Sequence, residues 1–261
     1  MNIASFLLAE CGFKETGKSF KGNKILSNKD FDLVFIGDYQ LYADYLSEME
    51  TDCLIFASKH KSESGKPTLT VHGLGNWGKA EYGGKAKTLC PTAPRIAANY
   101  LRELQNQKEK LNLDYEVALE CTHHGPYLAA RPAVFIELGS SEKQWAEKSP
   151  AKAIAETILL ATGRPNKDTV SIGLGGGHYC PEFTKLVLRK PRCFSHICPL
   201  YALPHLDEQL LKQAVEKGPE PVEEIVVDYK GLGSPIQKQK ILELAEATPL
   251  PVKRVRKLLK E

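Results

Sequence analysis

Five of the seven histidines, His60, His72, His123, His124 and His178, carry the chemistry this sequence could perform. His123 and His124 are adjacent in "THHGP", at the exit of the apolar run "YEVALE", and a Gly-Pro turn by itself needs no imidazole. His60 follows "CLIFAS", His72 ends "TLTVH" and His178 follows "DTVSIGLGGG", so each stands at the end of a strand-like segment. In open α/β sheets ligands bind where loops leave the carboxyl ends of strands. If these segments are neighbours, the five imidazoles meet in one cleft, whereas His196 lies within a strand and His205 opens a helix. Two chemistries suit such a cluster. Neutral imidazole is the commonest metal ligand, and catalytic zinc takes three protein ligands plus a water whose pKa falls to about 7. Without metal, one histidine serves as general base and another as a donor to the transition state. No HExxH spacing is present to choose between them. Glu120 and Glu137, near strand ends, are candidate carboxylate ligands or orienting groups.

The stretch "GLGGGHYCPEF", Gly173 to Phe183, sets four glycines between a strand and a helix. Such a turn brings backbone N–H groups close to an anion, and those near Gly175 to Gly177 are expected to hold an oxyanion. It matches neither nucleotide-binding glycine motif. The segment "ASKHKSESGKPTLTVHGLGNWG" gathers Lys59, Ser62, Glu63 and Lys66 around His60, with Trp77 and Tyr82 beyond. Its lysines could meet phosphates and its aromatic rings could stack on a base, or the loop is simply solvated. The C-terminal "PVKRVRKLLKE" reads as an amphipathic basic helix, either a plain surface element or an RNA contact.

For "THHGP" itself, neighbouring side chains of an extended chain point to opposite faces. Gly125 precedes Pro126 and is biased to extended backbone, so the bend is expected after the histidine pair. His123 is then expected in the cleft, with His124 anchoring the loop.

The elements that must position these residues alternate along the chain. Strand candidates are "IASFLL", "FDLVFIG", "DCLIFAS", "TLTVH", "DYEVALE", "PAVFIEL", "DTVSIGL", "CFSHIC" and "EEIVVDY". Most are near-continuous apolar runs, as expected of strands covered on both faces. Helix candidates run from Pro94 to Lys110, Ala151 to Ala161, Phe183 to Arg189, Leu206 to Lys217 and Pro235 to Ala245. Ser149-Pro150 reads as N-cap and first helical residue, and Gly163 as the stop. The alternation predicts a three-layer α/β domain with a largely parallel sheet, and one domain spanning residues 1–261. The glycine-rich "HGLGNWGKAEYGGK" is long for a connection and reads as a functional loop.

Composition narrows the class. With 42% hydrophobic and 26% charged residues the chain suits an ordinary soluble globular protein, and its net charge of +3 neither demands nor excludes a nucleic-acid partner. Seven cysteines, an odd number without a CxxC pair, point to free thiols in a reducing, cytoplasmic setting. "MNIASFLLAE" lacks the features of a signal peptide, and no apolar run reaches the roughly 18–20 residues needed to cross a membrane.

Taken in order, "ASKHKSESGKPTLTVH", "LECTHHGP", "PAVFIELGSSEKQW", "GLGGGHY" and "VDYKGL" resemble the archaeal- and plant-type D-aminoacyl-tRNA deacylases, from about Phe31 to Leu232. The resemblance implies an α/β/α fold with a mixed sheet, similar to phosphorylase/hydrolase-like proteins. It implies hydrolysis of the ester between a D-amino acid and the terminal ribose of tRNA, dependence on zinc, and a monomer. On this basis we expect His123, His124, His178, Gly176 and Gly177 in catalysis. Lys59, Ser62, Glu63, Lys66 and Trp77 are expected to bind substrate, and His60, His123, His178 and Glu137 to bind zinc. The alternatives are a zinc exopeptidase-like or small acyl-ester hydrolase, and a non-catalytic tRNA-binding module.

Overall fold

The computed structural model describes residues 3–261; Met1 and Asn2, the start of the segment read as carrying no signal peptide, lie outside the described residues. The chain opens with helix α1 (Ile3–Glu10) and strands β1 (Lys14–Phe20), β2 (Asn23–Ser27) and β3 (Asp32–Val34). There follow β4 (Leu54–Lys61), β5 (Thr68–His72), β6 (Gly75–Asn76), β7 (Thr88–Leu89), α2 (Pro94–Lys110), β8 (Glu116–Leu119) and β9 (Ala133–Ser140). Then come α3 (Glu142–Trp145), α4 (Lys148–Ala161), β10 (Thr169–Leu174), α5 (Pro181–Arg189), β11 (Arg192–Cys198) and α6 (Glu208–Glu216). The chain closes with β12 (Glu224–Val227), α7 (Pro235–Glu246), β13 (Val252–Arg254) and α8 (Val255–Leu258).

Two four-stranded sheets carry the architecture, in the orders β4-β9-β5-β8 and β11-β10-β12-β13. Every pairing in them is parallel except β5 with β9. The sheets meet where the chain leaves β8: the Thr122 amide donates to the Ile197 carbonyl (3.0 Å) and the Thr122 hydroxyl accepts from the Ile197 amide (3.1 Å). Alternation along the strands shows why they read as continuous apolar runs. In β9, Val134, Ile136 and Leu138 join the core beneath α2 and α4, whereas Ala133 and Phe135 face a second core on the other side. In β12, Val226 faces the first core, while Ile225 and Val227 pack with α6 and α7. Both faces of each strand are therefore dry, which requires helices or loops above and below. This is the expected mixed, largely parallel three-layer α/β arrangement.

Several expectations are corrected. "IASFLL" is the helix α1, not a strand: Ile3, Phe6 and Leu7 are buried at helical spacing, and a short apolar run does not reveal its period. "FDLVFIG" supplies only three residues of strand, on the edge of the antiparallel sheet β1-β2-β3. The hairpin β1-β2 left no apolar signal because β1 is exposed along almost its whole length. Its turn uses Lys21 and Gly22 at φ 47° and 81°, the positive pair that a two-residue hairpin needs. Helix α4 begins at Lys148 with Glu147 before it, so Ser149 and Pro150 lie inside its first turn rather than capping it. His205 ends a 3-10 turn (Leu203–His205), and Asp207 caps α6 by accepting from the Leu210 amide. The basic tail divides into β13, paired with β12, and the short α8, whose Val255 and Leu258 are buried.

Candidate active site

Glu137 stands in the middle of β9, with Ser58 of β4 and Thr70 of β5 as its neighbours in register. It points to the same face as Phe135. Because β5 runs against β4 and β9, His60 near the end of β4 and His72 at the end of β5 flank Glu137 from opposite directions along the strands. His60 Nδ1 lies 3.3 Å and His72 Nε2 3.7 Å from Glu137 Oε2. The site is thus partly a sheet face, and not solely the row of carboxyl ends that an all-parallel sheet would give. From the exit of β8 comes Glu120, fully buried, whose carboxylate accepts from His178 Nε2 at 2.9 Å. His60 Nδ1 lies 3.4 Å and His123 Nε2 3.5 Å from the same carboxylate. The expected convergence of all five imidazoles is present: the His123 ring centroid lies 4.2, 4.3 and 4.7 Å from those of His72, His124 and His178, and the His60 centroid lies 6.3 Å from that of His178.

The bend between His123 and His124 does not follow the strand rule. His124 adopts left-handed backbone at φ 46°, so the chain turns within the pair and both rings face the same cluster. The expectation that one ring enters the cleft while the other merely anchors the loop fails for this reason.

Hydrogen bonding settles which ring nitrogens face inward. The Nδ1 of His72, His123 and His124 each meets a backbone carbonyl, that of Gly73 (3.1 Å), Cys121 (2.8 Å) and Gly125 (2.6 Å). A carbonyl only accepts, so each Nδ1 carries a proton and Nε2 is the nitrogen each ring turns toward the cluster. Ligand atoms of these three rings lie within 4.8 Å of one another, and the His72 Nε2 is buried with no hydrogen-bond partner. Burial and the neighbouring imidazoles hold His123 well below its ordinary pKa, and burial with the adjacent His72 takes His124 down to about 4. Both are neutral at pH 7. Three Nε2 atoms turned inward, each ring fixed through Nδ1 by a carbonyl, are the arrangement that receives a metal cation.

The two carboxylates differ from ordinary buried acids. Burial raises the Glu137 pKa, but the bond from His60 together with His72 and His124 outweighs this and holds it well below the usual range. Glu120 is likewise lowered, burial being outweighed by the bond from His178 together with the nearby His72 and His60. His178 feels burial downward, yet its contacts with Cys121 and Glu120 raise its pKa to about 10. His60 donates toward the carboxylates through Nδ1 and meets the Tyr179 hydroxyl through Nε2 at 3.0 Å.

The expected zinc set of His60, His123, His178 and Glu137 does not come together as one group. Its members divide among three overlapping clusters: His72 with His123 and His124; Glu120 with His123 and His178; and His60 with Glu120 and Glu137. His72 and Glu120 were the underrated residues, since nothing in the sequence reveals which strands adjoin. The glycine wall is also revised. The Gly175 amide donates to the Cys198 carbonyl (2.8 Å) and the Gly176 amide to the Gly231 carbonyl (3.1 Å), so neither is free for an oxyanion. Gly175 and Gly176 are needed instead for positive φ, 101° and 81°, against the Asp228–Gly231 turn of "VDYKGL". The Gly177 amide makes no such bond, and Gly177 is exposed. Trp77 is 3% exposed and its indole donates to the Ile197 carbonyl at 3.2 Å, so it cannot stack on a base. Lys59, Glu63 and Lys66 are exposed, with the Lys59 ammonium 4.8 Å from the Trp145 ring centroid. Ser62 pairs its hydroxyl with that of Ser64 at 3.0 Å, and no hydrogen bond ties these four side chains to the histidine cluster.

The family model described as D-aminoacyl-tRNA deacylase matches residues 47–253, from before β4 to β13. The chain belongs to the D-aminoacyl-tRNA deacylase family. A D-aminoacyl-tRNA deacylase of Pyrococcus furiosus is 38% identical over 241 residues, 88% of this chain and 87% of its own. The deacylase of Archaeoglobus fulgidus is 31% identical across 100% of this chain and 94% of its own. A crystal structure described as a conserved protein of unknown function superimposes with TM-score 0.91 at 31% identity, covering 100% of this chain and 92% of that one. The family match takes in every member of the histidine cluster. No helix among the described residues is long and apolar enough to cross a membrane, and all seven cysteines are free.

Proposed function

We propose that this protein hydrolyses the ester joining a D-amino acid to the terminal ribose of tRNA, with zinc at the histidine cluster. The observation that carries the site assignment is the convergence of the His72, His123 and His124 Nε2 atoms beside two buried carboxylates. His72, His123 and His124 would hold the metal, and the group His60, Glu120 and Glu137 offers a second place for a cation. When bound, zinc supplies Lewis acidity, polarising an ester carbonyl and acidifying water. The remaining steps fall to the chain's own groups. His178, held protonated by Glu120 and the more open of the pair, gives its proton to the departing ribose oxygen. The proton taken from the attacking water restores that pair, so the cycle closes with one carboxylic acid and one hydroxyl formed. The Gly177 amide is the donor of its turn still available to the developing oxyanion. Selection of the D enantiomer is steric and tolerates varied side chains, and the protein works in the cytoplasm as a monomer.

The test pairs D- and L-tyrosyl-tRNA and D-aspartyl-tRNA as substrates, with chelator and with zinc restored. The D esters should be cleaved much faster, and activity should vanish with chelation and return with zinc. Equal rates for both enantiomers would overturn the assignment of chemistry. His72→Ala and His124→Ala should lower the zinc content measured by elemental analysis. Retention of full zinc by both variants would move the metal away from this triad.

A further inference from the structure

The large exposed apolar side chains include three tyrosines on segments that pack against the loop carrying His124. Tyr39, Tyr42 and Tyr82 are 78%, 61% and 64% exposed, a costly arrangement unless the rings have a partner. They stand on two segments, the turn of Tyr39 and Tyr42 and the loop of Tyr82, both fastened to the histidine loop. The Gly125 amide, next to His124, donates to the Tyr82 carbonyl at 3.0 Å. The turn carrying Tyr42 lies against the same junction, its Leu41 carbonyl so close to Gly83 and Gly125 that neither position has room for a Cβ. Asn76, 8% exposed, donates to the carbonyls of Gly83 (2.9 Å) and Lys85 (3.3 Å) and pins the loop from below. On a third segment the Tyr127 amide donates to Asp44 (2.7 Å), and the Lys85 ammonium sits 3.9 Å from the Tyr127 ring centroid. Among the described residues Lys79 and Lys85 form no ion pair, while Asp38 accepts from the Tyr45 hydroxyl at 3.2 Å.

We propose that this tyrosine rim binds the unpaired 3′ end of the tRNA, stacking the nucleotides that precede the one bearing the ester. The inference rests on the hydrolytic reading above. An ester presented to His123 and His178 leaves the adjoining nucleotides to run outward, and the rim is continuous with the cluster through His124-Gly125. Single-stranded RNA is held in this manner elsewhere: flat rings take the bases without regard to sequence, and lysines meet the backbone. Such a surface suits an enzyme that must accept many tRNAs, since all end in the same CCA.

The experiment uses the full protein and the pair Tyr42→Ala/Tyr82→Ala, with Tyr42→Phe/Tyr82→Phe as the ring-preserving control. One arm measures fluorescence anisotropy of a labelled, unacylated single-stranded RNA ending in CCA. The other compares hydrolysis of D-tyrosyl-tRNA and D-tyrosyl-adenosine. We expect the alanine pair to weaken RNA binding and raise the KM for tRNA by about tenfold or more, with the phenylalanine pair within about twofold of wild type. Hydrolysis of D-tyrosyl-adenosine and the melting temperature should be unchanged. Unaltered RNA affinity in the alanine pair, or an equal loss on both esters, overturns the proposal. If the unaltered protein cleaves neither ester, the hydrolytic reading is what fails, and the anisotropy arm still decides whether the rim binds RNA.

Discussion

Thr122 is the residue whose replacement most directly tests how the two sheets present the histidines. It is 3% exposed and immediately precedes His123. Its hydroxyl accepts from the Ile197 amide at 3.1 Å and meets His196 Nδ1 at 3.2 Å, while its own amide donates to the Ile197 carbonyl. Thr122→Val keeps the shape and the backbone bond but removes the hydroxyl. A buried Ile197 N–H is then left without an acceptor, and His196 loses its partner. Each orphaned group costs roughly 1–3 kcal/mol, so the expected loss is about 2–4 kcal/mol after partial relaxation. For a chain near this size that corresponds to a fall of about 5–15 °C in Tm. Thr122→Ser retains both bonds and loses one methyl, a loss of about 1 kcal/mol. Equilibrium urea unfolding of the three proteins gives the comparison, with ester hydrolysis measured in parallel. Turnover should fall in the valine variant, because the strand exit that carries Glu120, His123 and His124 is then held to β11 by one hydrogen bond at Ile197 instead of two. If valine is no more destabilising than serine, the hydroxyl does not hold the joint and the argument is wrong.

Other outcomes follow from the same geometry. Gly125→Ala should destabilise the loop by about 1–3 kcal/mol or more and abolish turnover, because its methyl group would overlap Leu41 and Gly84; a variant with normal melting and rate would refute this. Trp77→Phe should cost about 1 kcal/mol through the lost bond to Ile197 and leave tRNA affinity unchanged, a result checked by melting and filter binding. Glu224 is 1% exposed and bonded to Lys253, Arg192 and Ser171. Burial raises its pKa, but those bonds outweigh it and hold the pKa below the ordinary value. Its stabilising contribution is therefore complete above the unfolded pKa of about 4.3 and is lost as the pH falls through the folded value. Urea titrations should show wild type more stable than Glu224→Gln at pH 7, with the gap closing below about pH 4; a gap independent of pH would contradict this.

The sequence by itself determined the alternation of strands and helices, the burial of the sheets on both faces and the five histidines at strand exits. These are legible because they rest on local periodicity: "PAVFIEL" is apolar at every position because β9 has no wet face. The ordered motifs from Phe31 to Leu232 also carried the family, which the matching residues 47–253 then bore out. What the sequence left open was decided by adjacency and by backbone conformation. Only the antiparallel pairing of β5 with β9 places His60 and His72 on either side of Glu137, and strand order is not written in any one segment. Only the left-handed turn at His124 brings two consecutive imidazoles to one side. The carbonyls of Gly73, Cys121 and Gly125 fix the three ring tautomers, and the carbonyls of Cys198 and Gly231 use the glycine amides that looked free. Trp77 shows the same limit in reverse. Its glycine-rich surroundings read as a functional loop with the ring available for stacking, yet the chain folds Trp77 inward, and the indole becomes part of the core.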